Sequence, residues 1–329
     1  MHWNHENLPH WDARVNERYP HFRHDPDLGD VGSTFYPRLG AYSSRDAVVI
    51  EDHMKQLVKA RAGTLVLSWF APGRADPRTE NVDTLVLPLL DAARTHGLEL
   101  CLHLEPYEGR SAASARADVD YAVRRYGRHP AYHKSAAQGG QPVFYAYDSY
   151  QIPADEWAKS FPTNVGDKNW YVVGLVLHEG HLDEYVIRGP FDAGYSYFGA
   201  EGFTQAASPS RWRRFVEEAR EAGKAFVPCV APGYDDLRVR PWNGANSRPR
   251  NAGAYYDTMW TAAVESGARV VGVTSFNEWH EGTQIEASVP FSSSRDGVPP
   301  YEDYGSLGPE FYLDRTRHWV ANFEQRAGL

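Results

Sequence analysis

Largely apolar runs alternate along this chain with segments of helical periodicity. Between residues 46 and 62, apolar side chains recur at helical spacing, at Val49, Met54, Leu57 and Val58. Gly63 ends that segment, and residues 64–70 then form an apolar, β-branched run typical of a strand buried on both faces. The pattern therefore predicts a helix followed by a buried strand.

The same alternation continues toward the C-terminus. We predict seven strands, at residues 64–70, 98–104, 143–147, 172–177, 193–198, 225–230 and 270–275. Further helices are expected at residues 82–96, 115–126, 210–222 and 251–266. Alternating strands and helices predict an α/β fold with a parallel sheet, and seven or eight such units favour a (β/α)8 TIM-type barrel. A doubly wound sheet is the alternative, but no GxGxxG motif supports its nucleotide-binding form.

Length and charge narrow the functional classes. The chain has 329 residues, and an α/β barrel of this size usually forms one domain. We therefore predict a single catalytic barrel domain spanning residues 1–329. Its net charge of -9 disfavours nucleic acid as a partner, because backbone binding requires clustered Lys and Arg. Aromatic residues make up 13% of the chain, and their flat faces suit the apolar faces of sugars. Composition thus weakly favours a carbohydrate ligand. We also expect a monomer.

Cys101 and Cys229 lie inside predicted strands, so we expect buried free thiols rather than a disulfide. The N-terminus lacks the basic start and apolar run of a secretory signal, and no apolar stretch reaches membrane-spanning length. The chain as written therefore looks soluble, while its compartment stays open.

Polar and aromatic residues collect at the ends of the predicted strands. They are Trp69, His103, Glu105, Asp148, His178, Glu179, Tyr195, Tyr197, Asn277 and Glu278. Barrel enzymes place their chemistry at the carboxyl ends of the strands, where the loops converge on one pocket. Each residue alone could be structural, but together they indicate a site.

The densest chemistry follows the last predicted strand, where residues 274–286 contain Glu278, His280, Glu281 and Glu286. Glycoside cleavage requires one carboxyl group that protonates the departing oxygen and a second basic group nearby. Glu278 and Glu281, three positions apart, can meet in a turn. A solvated acidic loop is the structural alternative, just as a salt-bridged loop is for Glu105.

A metal-dependent hydrolase is a weaker hypothesis. It rests on histidines without tight ligand spacing, namely His2, His5, His10, His21 and His24. We interpret these as structural surface residues, and we expect neither a metal nor any cofactor.

Several motifs occur in an order that resembles glycoside hydrolase family 99, the endo-α-1,2-mannosidases and endo-α-1,2-mannanases. They are His2–His5, Leu8–Trp11, Phe35–Pro37, Tyr42–Asp46, Leu67–Trp69, Glu105–Tyr107, Tyr145–Tyr150, Arg240–Asn243 and Phe276–Glu286. The likeness covers almost the whole chain and is closer to the animal Golgi endomannosidase type.

The resemblance implies a (β/α)8 barrel and cleavage with retained configuration. Glu278 would act as base on the 2-hydroxyl of the sugar, which attacks the anomeric carbon to give a 1,2-anhydro sugar. Glu281 would be the acid that protonates the leaving oxygen and later the base that activates water. The two carboxyl groups then need different proton affinities.

The resemblance also points to residues that bind an α-mannose-containing oligosaccharide. Around the reacting sugar these are Asn277, Arg240, Glu105, Tyr197 and Tyr195, and we add Trp69, His103 and Tyr107 at the strand ends. Phe70 stands where animal members carry Tyr and bacterial mannanases carry Trp, so both glucosylated glycans and plain mannan remain possible substrates.

Family members carry an aromatic first barrel strand upstream of the segment that begins here at His2. We therefore expect a barrel without its first strand, with two strand edges open. A catalytically impaired carbohydrate-binding barrel is the alternative function that this departure raises.

Overall fold

The structure, a computed structural model, describes residues 24–74, 82–136, 139–163 and 168–328. Helices and strands alternate in it, as the pattern predicts. The first elements are helix α1 (Ala47–Lys59), strand β1 (Thr64–Trp69), helix α2 (Asp83–Thr95), strand β2 (Glu99–Leu104), helix α3 (Ala112–Tyr126), strand β3 (Lys134–Ser135) and strand β4 (Gln141–Ala146). Helix α4 (Ala154–Ser160), strand β5 (Tyr171–Leu175), helix α5 (Glu179–His181) and a π-helical segment (Leu182–Ile187) follow.

The remaining elements complete the alternation. They are strand β6 (Ala193–Tyr195), helix α6 (Pro209–Glu221), strands β7 (Ala225–Val227) and β8 (Cys229–Val230), helix α7 (Ala254–Glu265), strand β9 (Gly272–Val273) and helix α8 (Phe311–Ala327). Short 3-10 turns occur between them, including one at Trp279–Glu281. The sequence pattern did not predict α4, α8 or the two-residue strand β3.

The strands pair in parallel in the order β1-β2-β4-β5-β6-β7, while β3 joins β4 antiparallel and β8 pairs in parallel with β9. Strands β7 and β8 are two parts of one predicted strand, interrupted at Pro228, which has no N–H to donate. Its carbonyl still accepts from Gly272 N at 2.9 Å. The prediction of an α/β fold with seven parallel strands is confirmed, although several strands are shorter than predicted.

The two ends of this sheet differ from its middle. Strand β2 is buried from Leu100 to Leu104, whereas in β1 the side chain of Val66 is 44% exposed. Val270, just before β9, is 51% exposed. Within the described ranges β1 and β9 do not pair with each other. The barrel is therefore open between β1 and β9 in this part of the chain.

Side chains fix the helix ends that frame the sheet. The Asp46 carboxylate accepts a hydrogen bond from Val48 N at 2.8 Å at the start of α1. Ser111 and Ser114 form a reciprocal capping box at the start of α3. Helix α8 packs on α7 through stacked Trp260 and Trp319 rings, with centroids 6.3 Å apart.

Other sequence predictions have mixed outcomes. Cys101 and Cys229 are buried free thiols, as predicted. The His24 ring is 7% exposed and lies 2.9 Å from Asp30 Oδ1, so it is structural but not at the surface. The other four N-terminal histidines fall outside the described residues. Among the helices that the structure describes, none has the length and hydropathy needed to span a bilayer.

Candidate active site

The carboxyl ends of the strands bring most of the predicted site residues to one face. Ser68 lies near the end of β1, and Glu105 directly follows the neighbouring strand β2. The two strands pair with Ser68 opposite His103, which brings Ser68 and Glu105 close together. Tyr195 ends β6, and the loop that carries Glu278 and Glu281 follows β9. The predicted clustering at strand ends therefore places an acidic, aromatic pocket at this end of the sheet.

Glu105 is the centre of a polar web on the β1–β2 side of the pocket. Ser68 Oγ donates to Glu105 Oε1 at 2.8 Å, and His103 Nδ1 lies 2.7 Å from the same oxygen. The other ring nitrogen of His103 lies 2.8 Å from the hydroxyl of Tyr195. Burial opposes ionisation of Glu105, but the charge and hydrogen bond of His103 hold its pKa below the ordinary value. Glu105 is therefore a fixed anion.

Two tyrosines connect this web to the acidic loop. The rings of Tyr147 and Tyr197 lie 5.3 Å and 5.8 Å from that of His103. Burial raises the pKa of both hydroxyls, and the charge of Glu281 raises it further. Tyr197 has a φ of +52°, a conformation that non-glycine residues seldom adopt outside constrained sites. Both hydroxyls therefore stay protonated near Glu281.

Glu278 and Glu281 flank one tight turn. Glu281 N donates to Glu278 O at 3.3 Å, and Glu278 N donates to Ser275 Oγ at 2.7 Å. Gly282 then takes a φ of +61°, and a Cβ there would lie 2.6 Å from the carbonyl oxygen of Asp235. This position requires glycine both for its backbone conformation and for its close contact.

The Glu281 carboxyl group has an unusually high proton affinity. Its side chain is 22% exposed, and Arg240 Nη1 lies 3.9 Å from its Oε1. Burial and the neighbouring charge of Glu278 raise the pKa of Glu281 to about 8, although Arg240 opposes the shift. Glu281 is therefore protonated at neutral pH. Burial also lowers the pKa of His280 to about 3, which leaves that imidazole neutral.

Glu286 anchors the loop through buried hydrogen bonds. It is fully buried, and its carboxylate accepts from Tyr42 OH at 2.8 Å and from Trp279 Nε1 at 2.9 Å. His53 Nε2 lies 3.0 Å from its other oxygen. The Tyr42 hydroxyl in turn accepts from Asn277 Nδ2 at 3.0 Å. The buried Glu286 carboxylate thus holds Trp279 directly and Asn277 through Tyr42, on either side of Glu278.

Three predicted binding residues lie on the β1–β2 rim and are held by other contacts. Trp69 is 1% exposed and donates its Nε1 to Asp83 at 2.9 Å. The Tyr107 hydroxyl hydrogen-bonds Asp118 at 2.6 Å. Phe70 is partly exposed and lines a small cavity that Trp69 and Tyr107 also border. This rim adjoins Glu105, which lines the same cavity.

Sequence reasoning assigned no site role to several residues that build this pocket. They are Tyr42, Ser68, Tyr147, Asp236 and Glu286. Glu286 belonged to the acidic stretch and Tyr147 ended a predicted strand, so both carried a signal. Within the described ranges, no group of three or more His, Cys, Asp or Glu side chains is placed to hold a metal ion.

Comparisons with known proteins agree on one family. The sequence pattern described as glycosyl hydrolase family 99 matches residues 1–325. A glycoprotein endo-alpha-1,2-mannosidase of Xenopus laevis is 40% identical over 98% of this chain and 73% of its own length. A human glycoprotein endo-alpha-1,2-mannosidase-like protein is 39% identical over 98% of this chain and 71% of its length.

Solved structures give the same result. The family 99 endo-alpha-mannosidase of Bacteroides thetaiotaomicron matches with a TM-score of 0.83 and 40% identity, covering 90% of this chain and 85% of that one. A glycoside hydrolase-like protein, 14% identical with a TM-score of 0.57, shares the fold over 87% of this chain and 89% of its own. The predicted barrel class and the family resemblance are both confirmed.

Proposed function

Because the chain belongs to glycosyl hydrolase family 99 and is a glycoside hydrolase, we propose that it cleaves α-1,2-mannosidic linkages within mannose-containing glycans. The names of its relatives support this bond specificity. We further propose that residues 1–329 act as one catalytic domain in a monomer.

One observation carries the catalytic assignment. Burial and the charge of Glu278 raise the pKa of Glu281 to about 8, and Glu278 lies three residues before Glu281 on the same turn. A general acid must be protonated at the working pH, and glycoside cleavage pairs this acid with a second carboxyl group nearby. We assign Glu281 as the acid and Glu278 as the base.

The proposed reaction proceeds in two balanced steps. The Glu278 carboxylate removes the proton of the sugar 2-hydroxyl, and that oxygen bonds to the anomeric carbon as the glycosidic bond breaks. Glu281 gives its proton to the leaving oxygen. In the second step ionised Glu281 takes a proton from water, which attacks the anomeric carbon, opens the 1,2-anhydro ring and returns configuration to the starting form. Glu278 then gives its proton back to the 2-oxygen.

The remaining pocket residues would hold the sugar. Glu105 is a fixed anion that accepts sugar hydroxyls, and Asn277 and Arg240 lie beside the two catalytic carboxyl groups. Tyr195 and Tyr197 extend the wall that His103 supports. Phe70 offers an apolar face on the rim, which suits the face of a mannose or glucose ring.

The test uses α-1,2-mannan and a glucosylated high-mannose glycan as substrates. Wild-type protein should release an α-1,3-linked disaccharide with retained configuration, observed by NMR of the fresh product. Glu281→Gln and Glu278→Gln should each lose turnover. Asp257→Asn, on α7 where Asp257 accepts from Arg315 and Trp319 of α8, should keep it. Undiminished turnover of Glu281→Gln would refute the proposal. Binding of intact glycan by wild-type protein without cleavage would instead support the sugar-binding alternative.

A further inference from the structure

Asp236 is a buried carboxylate that the reaction above does not use. It lies on the loop after β8 and is 1% exposed. Its Oδ2 accepts from three side chains, which are Tyr234 OH at 2.9 Å, Arg240 Nη1 at 3.0 Å and Asn243 Nδ2 at 2.8 Å. A buried charge is costly unless it is paired in this way.

All three partners bond to one oxygen. Oδ1 of Asp236 is buried and has no hydrogen-bond partner within the described part of the chain. The backbone of the same loop closes on this residue, since Arg240 N donates to Asp236 O at 2.6 Å and Asn243 N donates to Arg240 O at 2.9 Å. Asp236 therefore fixes both the backbone and the guanidinium of Arg240.

The nitrogen that Asp236 holds is the one nearest to the catalytic acid. Arg240 Nη1 lies 3.0 Å from Asp236 Oδ2 but 3.9 Å from Glu281 Oε1. At 3.0 Å a charge-assisted hydrogen bond forms, and at 3.9 Å only a weaker charge interaction remains. Arg240 therefore makes its stronger contact with Asp236 and its weaker one with Glu281.

We propose that Asp236 is a positioning residue that holds Arg240 away from the Glu281 carboxyl and so keeps Glu281 in its proton-donating form. A direct Arg240–Glu281 ion pair would favour the carboxylate and remove the acid. The inference rests on the proposed function in that it names how the acid is maintained.

The other groups around Glu281 do not replace this role. The charged and titratable groups that face it are Glu278 on its own turn, Arg240 and Asp236 on the loop after β8, Glu105 after β2, and the hydroxyls of Tyr147, Tyr197 and Tyr234. Arg240 is the one cation in this set, and the carboxylates all favour protonation of Glu281. Removing the Asp236 charge therefore acts twice, by deleting a repulsive charge and by releasing Arg240.

The experiment follows the Glu281 carboxyl carbon by NMR in protein labelled with 13C at glutamate, with Glu281→Gln identifying the signal. Asp236→Asn should lower the titration midpoint of Glu281 by about one pH unit or more. An unchanged or raised midpoint would overturn the proposal. Asp257→Asn serves as matched control, because Asp257 accepts from Arg315 at 2.6 Å and 2.5 Å and from Trp319 at 2.8 Å, away from the pocket. That variant should lose thermal stability without moving the midpoint.

A second variant keeps the test open if Asp236→Asn does not fold. The Arg240 side chain is 46% exposed, so Arg240→Gln should fold and should raise the midpoint of Glu281, because the opposing cation is gone. A fall in the midpoint would contradict the proposal. In the Arg240→Gln background, Asp236→Asn should shift the midpoint less than in wild type.

Cleavage kinetics give an independent reading. The alkaline limb of kcat/KM should move to lower pH in Asp236→Asn, by the same amount as the NMR midpoint. A purely structural role would lower activity equally at every pH, and that result would contradict the proposal. If the wild-type protein does not cleave α-1,2-mannosides, the proposed function fails, while the NMR titration still decides the role of Asp236.

Discussion

Two glutamates in the same pocket differ in proton affinity because their neighbours differ. On the β1–β2 rim, Glu105 accepts from Ser68 and lies 2.7 Å from His103, which hold its pKa below the ordinary value against the effect of burial. On the loop after β9, Glu281 faces Glu278, and its nearest cation is bound to Asp236. Burial is common to both. The charged neighbours therefore decide which glutamate keeps its proton, because His103 favours ionisation of Glu105 whereas Glu278 opposes ionisation of Glu281.

The largest effect is expected from removing the acid itself. Glu281→Gln should lower kcat/KM roughly a hundredfold to ten-thousandfold on a mannoside with a poor leaving group, because general acid catalysis contributes about that much. With an activated aryl leaving group, which needs little protonation, the loss in kcat/KM should be much smaller, because kcat/KM reports the bond-breaking step and not the later step in which Glu281 is the base. Equal losses on both substrates, measured by steady-state kinetics, would argue against an acid role.

On the β1–β2 rim, the second-largest effect is expected from removing His103, the partner of Glu105. His103→Phe should lower the free energy of unfolding at neutral pH by about 3 kcal/mol, because it leaves the buried Glu105 carboxylate without its 2.7 Å partner. A depressed pKa contributes stability above the unfolded-state value and loses it as pH falls. The loss measured by urea unfolding should therefore shrink as pH falls below the reference value of 4.5. His103→Asn, which retains a donor, should lose less. A larger loss in acid than at neutral pH would contradict this account.

The comparison also shows how far the sequence reaches. Alternating periodicity predicted the seven parallel strands, and strand-end positions predicted Glu105 and the Glu278–Glu281 loop. Strand β6 ends at Tyr195 rather than at residue 198, because Tyr197 takes a φ of +52° that no strand continues. Pro228 divides the strand predicted at residues 225–230, because proline has no N–H to donate. Such local backbone details are set by tertiary contacts and leave little trace in apolar spacing.

The site was only partly predictable for a similar reason. Glu278 and Glu281 are close in sequence, so one motif carries both. Asp236 acts on Glu281 across two loops, and Glu286 binds Tyr42 from 244 positions away. Helix α8 escaped prediction because few of its residues are buried, among them Tyr312, Leu313 and Thr316, which is too few for a clear apolar stripe. Long-range partners of this kind need coordinates.

A smaller effect is expected from removing a contact that anchors the loop after β9 while Glu281 itself is kept. Tyr42→Phe removes the hydroxyl that Asn277 donates to, while Trp279 still donates to Glu286. The variant loses two hydrogen bonds, one donated to Glu286 and one accepted from Asn277, which should lower the free energy of unfolding by about 1–3 kcal/mol. Because Asn277 precedes the catalytic base, kcat/KM should fall about tenfold, with the pH profile unchanged. A shifted alkaline limb in this variant would show that the anchor and the acid are coupled.

The smallest effect concerns stability and pH. The folded-state pKa of Glu281, about 8, lies above the reference value of 4.5. Folded protein therefore binds this proton more tightly, and stability from this group falls as pH rises between those two values. Glu281→Gln removes that loss, so its gain in Tm over wild type should be larger near the upper end of the window than near the lower end. A gain independent of pH, by calorimetry, would contradict the assignment.

The central claim is that Glu281 keeps its proton because it is buried and because Glu278 stands beside it. The direct measurement is an NMR titration of the Glu281 carboxyl carbon in wild type and in Glu278→Gln. The account predicts a wild-type midpoint near 8, and a clearly lower midpoint once the neighbouring charge is removed. A wild-type midpoint at the ordinary glutamate value, or a midpoint that Glu278→Gln leaves unchanged, would contradict it.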